Sequence, residues 1–148
     1  MRETVTVTGA SGYIALHVIA LLLDEGYEVR GTLRDMARVE PLRAALARHT
    51  EVSNLSFVAA DLTSDAGWDA AMTDCQYVMH VASPVPIVEP KNHEELIAPA
   101  RDGTLRVLAA ASRAGVRRVV MTSSNAAINS GHGGKSSFTE ADWSILGD

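Results

Sequence analysis

The stretch TVTVTGASGYIA, residues 4–15, decides the fold. Its first five residues are β-branched throughout and stop at Gly9, so they read as a strand. Beyond the turn the period changes. Apolar residues at 14, 15, 18, 21 and 22 make a helical stripe over residues 14–25, and Gly26 ends it. Gly9 lets the chain turn sharply, and Gly12 has no side chain, so an anion can approach the backbone there. Ala15 is small where a helix must pack closely on a strand. The helix opening at Gly12 aims free N–H groups and a partial positive charge at such an anion. The spacing is GxxGxxA, with a strand before it, a helix after it and a second strand about 20 residues on. In that context it predicts a dinucleotide site; the competing reading is a glycine-rich turn with no ligand.

The alternation continues along the chain. YEVRGTL (27–33) is a second strand, and residues 40–48 are a helix with Pro41 in the first turn. LSFVAA (55–60) is a third strand, residues 65–72 a short helix, and YVMHVA (77–82) a fourth strand. A proline-rich stretch, SPVPIVEP (83–90), leads to a long helix over 94–114, closed by Gly115. Pro99 falls inside it, so that helix either kinks or starts there. VRRVVM (116–121) is a fifth strand, and residues 122–148, rich in Ser, Gly and Asn, contain none. The pattern predicts an α/β Rossmann-type, doubly wound parallel sheet of order 3-2-1-4-5 with helices on both faces. Ligands of such sheets bind outside the carboxyl ends of the strands, here after Thr8, Leu33, Ala60, Ala82 and Met121.

Composition narrows the function classes. A chain of 148 residues, 47% hydrophobic, fits one domain over 1–148. The net charge of −5, with basic residues scattered apart from Arg117-Arg118, argues against a nucleic-acid surface. Cys75 stands alone, which rules out an internal disulfide or a cysteine zinc site and suits a reducing, cytoplasmic setting. No apolar run reaches the roughly 18 residues of a membrane span. The five histidines lack metal-ligand spacing, so no metal is expected, and His80, inside a strand, reads as a hydrogen-bonded core residue. GHGGK (131–135) lacks P-loop spacing, and Ser124 has no GxSxG elbow.

The strand ends carry the candidate chemistry. After the second strand a carboxylate would bond the ribose 2′-hydroxyl of NAD, whereas an arginine suits the 2′-phosphate of NADP. Here Leu33 stands at the acid's place and Arg34 follows, which favours NADP over NAD; Asp35 keeps a ribose ligand in play. Asp61 is either an adenine ligand or a cap of the next helix. Val81, Ala82 and Ser83 are small enough for a nicotinamide ribose to lie against the backbone. The fifth strand runs into Thr122, Ser123 and Ser124.

Taken together, TGASGYIA, VRGTLRD, AADL, YVMHVASP, DGTLRVLAAA, VRRVVMTSSNAA and TEADW resemble the extended short-chain dehydrogenase/reductases, which include the NAD-dependent epimerase/dehydratase family. The branch they resemble most is that of dihydroflavonol reductases, cinnamoyl-CoA reductases and NADPH-dependent aldehyde or ketone reductases. The resemblance spans residues 5–143. It implies that Ser124 is the catalytic serine that hydrogen-bonds a substrate carbonyl, and that Gly9, Ser11, Gly12, Tyr13 and Ile14 form the pyrophosphate loop. Arg34 then holds the 2′-phosphate, Asp61 and Leu62 meet adenine, Ala82 and Ser83 lie beside the ribose, and Thr122 and Ser123 line the nicotinamide side. The family also uses a YxxxK pair, the tyrosine protonating the carbonyl oxygen as hydride arrives. Four residues after Tyr13, Tyr27 and Tyr77 stand His17, Gly31 and Val81, so the pair is expected beyond Asp148, with a substrate lobe to follow. The expected function is the cofactor-binding part of an NADPH-dependent carbonyl reductase acting on a small molecule, itself inactive, with pairing of two copies through the 94–114 helix. An NAD-dependent epimerase or dehydratase of nucleotide sugars, and a non-catalytic NADP sensor, are the alternatives.

Overall fold

A computed structural model describes residues 2–84, 92 and 94–145. Five parallel strands, β1 (Thr4–Val7), β2 (Glu28–Leu33), β3 (Leu55–Ala59), β4 (Tyr77–His80) and β5 (Arg118–Met121), lie in the order β3-β2-β1-β4-β5. This is the doubly wound Rossmann-type sheet that the alternation predicts. Helices α1 (Tyr13–Asp24) and α2 (Val39–Leu46) cover one face; α3 (Trp68–Met72) and α4 (Glu94–Arg113) cover the other. A four-residue helix, α5 (Ala126–Asn129), follows β5.

Strand β1 shows why the sequence chooses this arrangement. Val7 packs with Ala15 and Ile19 of α1 and with Val29 and Leu33 of β2. Thr6 points to the opposite face, where its hydroxyl donates to the Ala71 carbonyl of α3 at 2.7 Å. Both faces are dry, so each threonine needs a partner. Among the described residues, no buried side-chain nitrogen or oxygen lacks one. The second core gathers Trp68, Met72 and Cys75 with Val78 and the Val107, Ala110 and Ala111 side of α4. At the open edge, β5 leaves Val120 and Met121 exposed.

Several boundaries differ from the sequence reading, each for a local reason. The short helix starts at Trp68 instead of residue 65, because Asp61 and Ser64 turn their side chains onto the N–H groups of Thr63 and Ala66. Its N-cap, Gly67, adopts φ +86, and a Cβ there would meet the Ala59 carbonyl oxygen at 2.0 Å. The fourth strand stops at His80 instead of residue 82, because the N–H groups of Val81 and Ala82 turn away to the Thr8 hydroxyl. The fifth starts at Arg118, since the Val116 N–H closes α4 by bonding the Ala111 carbonyl. A 3-10 turn at Met36–Arg38, capped by Asp35, precedes α2 and went unread. Helix α4 begins before Pro99 and carries it through. Of the proline-rich stretch, residues 85–90 lie outside the described residues. Among those residues no helix is long and apolar enough to cross a membrane, and no three His, Cys, Asp or Glu side chains gather as a metal site would require.

Candidate functional site

The carboxyl ends of β1, β2, β3 and β4 open onto one groove of about 670 Å³, a size typical of small-molecule sites. Its floor is the turn after β1. Gly9 adopts φ +69, and a Cβ there would meet Ala82 at 3.0 Å. Two bonds strap the turn to β2: the Gly9 N–H donates to the Thr32 hydroxyl at 3.1 Å, and the Ala10 N–H to the Thr32 carbonyl at 2.9 Å. Gly31 of β2 makes room for this approach, since a Cβ on it would lie 2.7 Å from Ala10 Cβ.

Gly12 is the N-cap of α1 and offers no side chain to it. The first bond of the helical ladder is Leu16 N–H to Gly12 carbonyl. The N–H groups of Tyr13, Ile14 and Ala15 therefore precede the ladder, and all three residues line the groove. Tyr13 and Ile14 stand exposed, with Tyr13 edge-on to the His17 ring at 4.7 Å.

One wall begins at the end of β2. Leu33 is buried in the core, while Arg34 is exposed and lines the groove. Arg34 forms no ion pair with the described residues, although its charge helps lower the Asp61 pKa. Asp35 is occupied locally: its carboxylate accepts the Ala37 N–H at 2.9 Å.

The loop after β3 forms the next wall. Asp61 Oδ1 accepts both the N–H and the hydroxyl of Thr63, each at 2.8 Å. Those bonds hold its carboxyl below the usual range, the backbone bond first, with burial opposing and Arg34 assisting. Asp61 thus shapes its own loop and is not the cap of α3, whose N-cap is Gly67. The Trp68 indole N–H donates to the carbonyls of Asp61 and Ser64, at 3.1 and 3.0 Å. Helix α4 braces the loop from behind. Arg106 donates to the Leu62 carbonyl at 2.9 Å and pairs with Asp65, while Gly103 admits Leu62 so closely that a Cβ would meet it at 2.7 Å.

Ala82, Ser83 and Pro84 close the groove on the β4 side. Of the sequence candidates, the fold gathers Gly9, Ser11, Gly12, Tyr13, Ile14, Arg34, Asp61, Leu62, Ala82 and Ser83 around this one groove. Thr122, Ser123 and Ser124 stand apart from its lining, at the carboxyl end of β5. Thr122 donates its N–H to the His80 carbonyl at 3.0 Å. Ser124 is exposed, and its oxygen accepts the Ala126 N–H at 3.2 Å. Sequence reasoning missed Thr32, whose hydroxyl pins the turn, and Glu95 and Leu96, which reach the groove from α4. No alternation flags Thr32, because Gly31, Thr32 and Leu33 are buried in a row at the end of β2.

Comparisons with known proteins agree with this fold. The NAD dependent epimerase/dehydratase family matches residues 5–143. The dihydroflavonol 4-reductase of Dianthus caryophyllus is 38% identical over 144 residues, which are 97% of this chain and 40% of that protein. The NADPH complex of the yeast methylglyoxal/isovaleraldehyde reductase Gre2 superposes with a TM-score of 0.82 at 31% identity, covering 96% of this chain and 44% of that one. The NADPH complex of Gre2 from Candida albicans also gives 0.82, at 34% identity, with 98% and 45% covered. The chain thus spans about two fifths of the length of the curated relatives it matches. With the sheet order, the turn after β1 and this match in agreement, the chain belongs to the NAD-dependent epimerase/dehydratase family of extended short-chain dehydrogenase/reductases.

Proposed function

We propose that the groove binds NADPH as the cofactor portion of a carbonyl reductase. The observation that carries this reading is the continuous line from the α1 N-terminus to Arg34 along one groove. The pyrophosphate fits where Gly9 and Gly12 keep the backbone bare and α1 opens with exposed Tyr13 and Ile14, whose N–H groups precede the helical ladder. Arg34, exposed and without an ion-pair partner among the described residues, suits the 2′-phosphate. Leu33, at the place where a ribose-binding acid would stand, is buried, and Asp35 turns one carboxylate oxygen onto the Ala37 N–H.

The Asp61–Leu62 backbone and Leu62 side chain flank adenine, Ala82 and Ser83 flank the nicotinamide ribose, and Thr122 and Ser123 stand on the nicotinamide side. NADPH would supply hydride; Ser124 would hydrogen-bond the oxygen of an aldehyde or ketone. The proton donor is expected to be a Tyr-Lys pair, which the three tyrosines here do not form. The similarity to the NADPH complexes of Gre2 and to dihydroflavonol 4-reductase supports the assignment. Pairing of two copies through α4 belongs to the same reading, since Leu105 and Leu108 are exposed on it. So does a cytoplasmic setting, which suits the free, buried thiol of Cys75.

Calorimetric titration with NADPH and NADH tests the reading. One charge-assisted contact contributes about 1.5–3 kcal/mol, or roughly ten- to a hundredfold in affinity. NADPH should bind tighter by that factor, and Arg34→Ala should abolish the difference. Equal affinities in the unmodified protein would refute the assignment of Arg34.

A further inference from the structure

Behind the groove lies a polar chain that the dinucleotide reading leaves unused. Thr8, at the end of β1, and His80, at the end of β4, are both buried. The Thr8 hydroxyl oxygen accepts the N–H groups of Val81 and Ala82, each at 3.0 Å. With both lone pairs engaged, its single proton has one place left to go, His80 Nδ1 at 2.8 Å. Nδ1 is therefore an acceptor, and the ring proton sits on Nε2, which donates to the Thr104 hydroxyl of α4 at 3.3 Å. This chain of bonds takes Val81 and Ala82 out of the β4 ladder and sets Ala82 against Gly9, where a Cβ would find Ala82 at 3.0 Å.

We propose that His80, as the neutral Nε2–H tautomer, is a positioning residue that holds the Val81–Ala82 backbone against the Gly9 turn and so fixes the nicotinamide-side wall of the groove. The proposal rests on the dinucleotide reading above. The groups that bond or pair with His80 among the described residues carry no charge: Thr8 follows β1, Thr104 lies on α4, and Met121 of β5 stands beside it in register. A second ring proton on Nδ1 would point at a hydroxyl whose lone pairs are already used. Burial accordingly pushes the His80 pKa down.

Three measurements decide the matter. Imidazole 15N NMR at neutral pH should report a bare Nδ1 and a protonated Nε2; the opposite tautomer overturns the proposal. His80→Asn keeps an acceptor at the Nδ1 position and should bind NADPH within about threefold of the unmodified protein. His80→Leu removes it and should bind about tenfold more weakly at a temperature where both variants are folded. Equal affinities for Asn and Leu, whether strong or weak, overturn the proposal. Should His80→Leu not fold, the pH profile replaces it. The ratio of NADPH affinities, unmodified protein over His80→Asn, cancels titration of the ligand and should fall as the pH drops below 6.5; a flat ratio overturns the proposal. Failure of the unmodified protein to bind NADPH at all overturns the dinucleotide reading and the role given to the clamp together, and NMR would still report the tautomer.

Discussion

Replacing Gly31 by alanine tests how the turn after β1 is held. The added Cβ would lie 2.7 Å from Ala10 Cβ and 3.0 Å from the Phe57 ring. Ordinary carbon contacts lie near 3.5–4.0 Å, so something must move by about 1 Å. Phe57 can give a little, although the Arg43 guanidinium lies over its ring at 5.7 Å. The turn cannot withdraw without stretching its bonds to Thr32. Overpacking of this kind costs about 1–3 kcal/mol, and exchanging glycine for alanine in a strand returns roughly 0.5–1. A net loss near 1 kcal/mol should lower Tm by about 3 °C in a chain of this length. Because the displaced atoms are the floor of the groove, NADPH affinity should also fall, by roughly five- to tenfold. The check is differential scanning calorimetry beside isothermal titration. The double variant Gly31→Ala with Ala10→Gly removes the closer contact, leaving only the Phe57 ring to adjust, and should recover part of both losses. A single variant that melts at or above the unmodified protein and binds NADPH equally well would refute the reasoning.

Two further outcomes follow from bonds around the groove. Burial lowers the folded-state pKa of His80, so the unfolded chain takes up that proton first. The stability this represents is complete above pH 6.5 and is lost as the pH falls from there toward the lowered value. Urea unfolding across that window should show a decline of at most about 1.4 kcal/mol per pH unit, and His80→Asn should remove that slope. Arg106→Ala deletes the bond to the Leu62 carbonyl and the pair with Asp65, whose own side chain is largely exposed. A loss of roughly 1 kcal/mol is expected, read as a lower urea midpoint at unchanged m-value; an unshifted midpoint would show that α4 does not brace the loop.

The fold was legible because its signals are local. The switch from the two-residue period of TVTVT to the helical stripe after Gly12 marks a strand, a turn and a helix within 25 residues, and the chain repeats that alternation. The groove was legible in outline, since strand ends in such a sheet are brought to one edge by topology alone. Side-chain capture of backbone N–H groups was not. Asp61 and Ser64 delay α3 by hydrogen bonds that any Asp or Ser can make or forgo. The Thr8–His80 link joins residues 72 apart and rests on one proton's direction, for which a linear pattern holds no mark. His80 was readable as a buried, bonded histidine, but its partners were not.

The loop after β3 has a consequence for rates. Asp61 is bonded to Thr63, Trp68 grips two of the loop's carbonyls, and Arg106 holds a third from α4. Its ordering entropy is therefore met when the chain folds, not when a ligand arrives. A molecule settling on that wall meets a loop already tied by these bonds, so little ordering is left for binding to supply. Association there is governed by diffusion and orientation, which vary little among similar ligands. What separates a strong ligand from a weak one on this wall is how long each stays.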